Sequence, residues 1–100
     1  MTREEIQRHL NDILRTSPVR GSVRRISLFG SRVRGMEREG SDIDLLVEFS
    51  SPVSLLELVG MELELQERLH RKVDLRTPQG LSKYFREDVL REAEPLYEQG

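Results

Sequence analysis

The chain has 100 residues, of which 36% are apolar and 34% charged, a balance typical of one globular domain over residues 1–100. Its net charge of −2 argues against direct binding of nucleic acid, and the absence of cysteine excludes disulfide frameworks and thiolate metal sites. No apolar run approaches the roughly 20 residues that cross a bilayer and no signal-peptide pattern opens the chain, so we expect a cytoplasmic protein with no membrane partner.

The first part of the chain predicts a helix followed by a strand. Residues 2–15 begin with a capping box and carry apolar residues at helical spacing. Residues 24–29 alternate between two faces and predict a strand that ends at Gly30. We expect a short helix over residues 31–35 and a surface loop over residues 36–40.

The remaining elements predict an α+β fold, with one small β-sheet flanked by helices. Residues 43–49 form the most apolar segment, which is typical of a central strand covered on both faces. Residues 55–69 predict a helix whose stripe from Leu55 to Leu69 packs in the core. Three further predictions are a strand over 72–76, a helix outlined by residues 84–93 with core or partner-contact aromatics at Tyr84 and Phe85, and a brief edge strand at Leu96–Tyr97.

Three aspartates carry the predicted chemistry. Asp42 and Asp44 open the apolar strand and project from the same face, because side chains alternate along a strand. Asp74 stands alone on the following strand between two apolar residues. Carboxylates in a poorly solvated sheet repel each other unless a cation lies between them, and Mg²⁺ prefers oxygen ligands. The pattern predicts that the three aspartates hold one or two Mg²⁺ ions and serve phosphoryl or nucleotidyl transfer.

The turn after the first strand predicts a phosphate cradle. Gly30 permits close approach of the backbone, and Ser31 adds a hydroxyl at the start of a short helix. Arg32 and Arg34 place positive charge beside the same turn, and a guanidinium suits phosphate oxygens. These four residues are therefore candidates for binding the nucleotide.

The order of these motifs resembles the minimal nucleotidyltransferases of the DNA polymerase β-like superfamily. Their signature is a Gly-Ser, about ten residues and then Asp-x-Asp, and residues 28–35 and 41–49 match it. The resemblance continues through residues 71–75 and 90–97, so that it covers essentially the whole chain. It implies a mixed sheet flanked by helices, with Asp42 and Asp44 as metal ligands and Asp74 as third acid and general base.

The resemblance also implies a partner. Such proteins commonly act as antitoxins of a helical HEPN ribonuclease toxin by transferring AMP from ATP to a tyrosine of that toxin. Two alternatives stay open: a non-catalytic antitoxin that neutralises the toxin by binding, and a nucleotidyltransferase that acts on a small molecule with a second subunit. The sequence leaves open whether the chain forms a homo-oligomer.

Overall fold

The structure is a computed structural model that describes residues 2–29 and 42–99. Its described α-helices are α1 (Arg3–Thr16), α2 (Leu55–Leu69) and α3 (Arg86–Glu92), and its described strands are β1 (Val23–Phe29), β2 (Ile43–Phe49), β3 (Val73–Arg76) and β4 (Glu94–Glu98). The predicted short helix at 31–35 and loop at 36–40 lie outside the described residues. No helix in the described ranges is long and apolar enough to cross a bilayer.

The four strands form one mixed sheet in the order β3-β2-β1-β4. β1 runs antiparallel to both β2 and β4, whereas β2 and β3 are parallel. α2 joins the parallel pair, as a crossover helix must. The α+β prediction with a mixed sheet flanked by helices is thereby confirmed.

The core lies between one face of the sheet and the helices α1 and α2. Alternate residues of β2 point into it, and Ile43, Leu45 and Val47 are fully buried there. The other face of β2 carries Asp44 and Leu46, and Leu46 is also fully buried. The prediction that β2 is a central strand covered on both faces is therefore confirmed at Leu46.

Helix α2 differs from the prediction in which of its apolar residues face the core. Met61, Leu65 and Leu69 are buried, but Leu55 and Val59 point outwards. The helix carries two apolar stripes, and only one of them can pack on the sheet. The prediction that the whole leucine stripe belongs to the core was wrong for these two residues.

The C-terminal segment also departs from expectation. Tyr84 and Phe85 precede α3 and are exposed, so neither is a core aromatic. β4 is longer than the predicted dipeptide and includes Pro95. Proline is tolerated there because β4 is at the edge of the described sheet, where a missing backbone N–H breaks no hydrogen bond to a further strand of that sheet.

Candidate active site

Asp44 and Asp74 lie side by side on the parallel strands β2 and β3. They are register partners, so their backbones are separated by only the inter-strand spacing of about 4.8 Å. Their neighbours Ile43, Leu45, Val73 and Leu75 are buried in the core, which directs both carboxylates to the opposite face of the sheet. Both aspartates are half-buried. The structure therefore brings together two of the three predicted acids.

Asp42 lies two residues earlier on the same face, directly before β2. Its Oδ2 atom is 3.9 Å from Nζ of Lys72, and both side chains are well exposed, at 48% and 67%. Within residues 2–29 and 42–99, no three acidic or histidine side chains are gathered closely enough to enclose a metal ion. Asp42 thus has a lysine beside it, and a three-carboxylate cage is not preassembled.

Positive charge flanks Asp74 along β3. Lys72 and Arg76 stand two residues to either side, on the face that Asp74 occupies. Sequence reasoning did not single out Lys72 or Arg76, although the same alternation that grouped Asp42 with Asp44 would have found them. These cations partly offset the charge of the three carboxylates.

β3 is held in place by two side chains of α2. Gln66 Oε1 accepts a hydrogen bond from the backbone N–H of Val73 at 3.0 Å, and Glu62 Oε2 accepts one from Leu75 at 2.9 Å. β3 is an edge strand, and its outward N–H groups would otherwise have no partner in the sheet. These two hydrogen bonds are made by the residues on either side of Asp74. They therefore help to fix the position of β3 along β2, and with it the position of the Asp74 carboxylate next to Asp44.

The described part of β1 ends next to the paired aspartates. Phe29 is the register partner of Asp44, so one line across the sheet runs through Phe29, Asp44 and Asp74. Gly30, Ser31, Arg32 and Arg34, the predicted nucleotide-binding residues, lie outside the described residues. In sequence, Gly30 is the next residue after Phe29.

One surface groove among the described residues lies away from the aspartates. An open groove of about 400 Å³ lies where β2 and β3 end, between residues 49–53 and Thr77, which is the opposite end of both strands from the aspartates. None of the described residues that line it is acidic or basic. This groove is therefore not part of the acidic site.

Comparison with known proteins points to one family. The family model described as "Nucleotidyltransferase domain" matches residues 6–96. The protein adenylyltransferase MntA of Thermococcus cleftensis is 39% identical over 92 residues, which cover 92% of this chain and 93% of that protein.

Solved structures share the fold. A candidate minimal nucleotidyltransferase is 38% identical, with a TM-score of 0.76 over 95% of this chain and 96% of that one. A chain from the complex of the tri-AMPylated HEPN toxin of Shewanella oneidensis with an MNT antitoxin is 20% identical, with a TM-score of 0.71 over 98% of this chain and 74% of that one. At that lower identity, the second likeness shows the fold alone.

Proposed function

The chain belongs to the nucleotidyltransferase domain family as a minimal nucleotidyltransferase, and on this premise we propose that it is a Mg²⁺-dependent adenylyltransferase of a HEPN toxin. In this proposal the chain transfers AMP from ATP to a tyrosine of the toxin in the cytoplasm and so acts as its antitoxin. The observation that carries the proposal is the pairing of Asp44 with Asp74 across the parallel strands β2 and β3, on the face of the sheet opposite the core. The name of the 39% identical relative, a protein adenylyltransferase, supports the transfer of AMP to a protein. The structure of an AMPylated HEPN toxin with an antitoxin of the same fold suggests which protein to test as acceptor.

The carboxylates fit Mg²⁺ as a set of donors. Two adjacent carboxylates and a third two residues away offer only oxygen, and Mg²⁺ usually takes one or two carboxylates together with substrate phosphates. A closed three-acid cage is therefore not required. We assign Asp42 and Asp44 as the main ligands of one or two ions, with Asp74 as the third. Bound Mg²⁺ supplies charge that stabilises the phosphates of ATP during transfer.

Each step of AMP transfer can be assigned to a chemical group of this chain or of its substrates. The Asp74 carboxylate accepts the phenolic proton of the acceptor tyrosine. The phenolic oxygen forms a bond to the α-phosphorus of ATP while the bond from that phosphorus to the bridging oxygen breaks, and pyrophosphate leaves with the electron pair. We assign Gly30 and Ser31 to the binding of the ATP phosphates. Arg32 and Arg34 would neutralise the negative charge of those phosphates.

The proposal is tested with ATP labelled at the α-phosphate and a purified HEPN protein encoded beside this chain. We expect label to move to the toxin with Mg²⁺ and none to move in EDTA. A toxin whose acceptor tyrosine is changed to phenylalanine should stay unlabelled. Transfer that continues in EDTA would contradict the metal-dependent mechanism. A toxin that is bound and neutralised without ever being labelled would favour a non-catalytic antitoxin.

A further inference from the structure

The outward side of α2 is apolar although it faces away from the core. Its exposed stripe, which we call the α2 outer face, consists of Leu56, Val59, Gly60 and Leu63, at the spacing of one helical face. Leu56 is 81% exposed and Leu63 is 56% exposed. A single exposed leucine is ordinary, but a row of large apolar side chains on one helix marks an interaction surface.

Gly60 lies in the interior of α2, where none of the described residues requires a glycine. Glycine in a helix interior costs about 1 kcal/mol relative to alanine. A Cβ atom built on Gly60 would meet no atom of the described residues within 4 Å, so these residues leave room for a side chain there. Glycine at the centre of an apolar stripe instead allows something outside the chain to approach the helix closely.

A small surface cavity beside Gly60, which we call the notch, indicates which kind of side chain a partner could insert there. It is a cavity of about 230 Å³ with an apolar wall of Pro18, Val19 and Met61. Glu57 and Glu64 also line it. An arginine or lysine fits both parts of this lining, because its aliphatic stem can cover apolar side chains while its charged head meets a carboxylate.

Charge argues against a second copy of the chain as the occupant. α2 contains four glutamates and one arginine. In an antiparallel pair of identical α2 helices, the flank with Glu57 and Glu64 would face its own copy, and like charges would meet. A parallel pair would bring no additional cation to these glutamates. The surface complements a helix with an apolar stripe and basic flanks.

We propose that the α2 outer face docks an amphipathic helix of the acceptor protein, with apolar side chains on Leu56 and Leu63 and an arginine or lysine in the notch at Gly60. This inference rests on the proposed function for the identity of the acceptor. It separates the surface that holds the acceptor from the aspartates that react with it, because α2 packs against the opposite face of the sheet.

The test measures binding of the full chain to the HEPN protein by calorimetry. We expect Leu63→Glu and Gly60→Leu to weaken binding at least tenfold while Mg-ATP binding is unchanged. Leu90→Glu is the matched control, since Leu90 is an exposed apolar residue outside α2, at 40%, and its change should have no effect. Gly60→Ala should raise the melting temperature of the free chain by a few degrees and still weaken binding.

Other results would overturn the inference. Wild-type affinity in both Leu63→Glu and Gly60→Leu would place the acceptor elsewhere. Self-association of the free chain that either variant abolishes would identify a second copy as the occupant. A complex that needs the α2 outer face but transfers no AMP would contradict the proposed function, but it would still support the α2 outer face as a docking surface.

A pair of synthetic helices gives a second arm if the HEPN protein does not bind. Both carry the same leucine stripe, with arginine flanks in one and glutamate flanks in the other. We expect only the basic helix to bind wild type, and Leu63→Glu to abolish that binding. Failure of the basic helix to bind, or equal binding of both helices, would overturn the charge complementarity on which the inference depends.

Discussion

Asp44 and Asp74 are direct neighbours across the parallel strands β2 and β3, each half-buried. Like charges placed opposite each other in a sheet are destabilising. We therefore expect the pair to lower the stability of the protein when no cation is bound. Sites that bind metal or substrate commonly carry such a cost.

The first prediction concerns the stability of the Asp74→Asn variant. Without metal, it should melt a few degrees higher than wild type, because one of two neighbouring charges is removed. The order should reverse with Mg-ATP, since wild type gains more from ligand binding. Melts at low ionic strength test this, and 1 M NaCl should reduce the metal-free difference. Identical metal-free melts at low salt would mean that the two carboxylates do not repel.

The second prediction concerns Lys72, which stands 3.9 Å from Asp42. An exposed ion pair contributes about 0–1 kcal/mol. Removing the lysine in Lys72→Met should therefore strengthen the binding of Mn²⁺ without nucleotide by up to about fivefold, because a competing cation is lost. Lys83→Met is the control, since Lys83 lies over the ring of Tyr84 instead. Unchanged Mn²⁺ affinity in Lys72→Met would show that the lysine does not compete for Asp42.

The third prediction concerns the bonds that hold β3. Glu62→Met removes the acceptor of the Leu75 N–H and should cost about 1 kcal/mol, or about 4–8 °C in melting temperature. Glu62→Gln keeps a side-chain oxygen and should lose less than half as much. Glu67→Met, an exposed change on the same helix, is the control. Equal losses in Glu62→Met and Glu67→Met would mean that the hydrogen bond adds nothing.

The fourth prediction concerns His70, which ends α2 in the left-handed conformation, with φ 54° and ψ 38°. A side chain in that conformation costs roughly 1 kcal/mol, so His70→Gly should stabilise the chain by about that amount. His9→Gly, in the interior of α1, should destabilise the chain instead, because glycine is a poorer helix former than histidine. Thermal melts of the two variants check the opposite signs. Loss of stability in both would indicate that the His70 side chain makes a contact worth more than the strain.

The sequence predicted the acidic site better than it predicted the surface. Alternation placed Asp42 and Asp44 on one face, and the bounds predicted for β2 were correct because polar residues end the apolar run on both sides. It could not pair Asp44 with Asp74, since register depends on how α2 returns the chain to the sheet. Nor could it separate the two apolar stripes of α2, because helical spacing is the same for a core face and a docking face.

The central claim, that the aspartates transfer AMP, is tested most directly by Asp44→Asn. The change is nearly isosteric but removes a carboxylate charge, so the variant should fold and still bind the HEPN protein. With α-labelled ATP and Mg²⁺, we expect AMP transfer to fall about a thousandfold, equivalent to about 4 kcal/mol of transition-state stabilisation. Asp12→Asn, a change in α1 away from the sheet face, should transfer AMP at the wild-type rate. Transfer by Asp44→Asn at the wild-type rate would contradict the account.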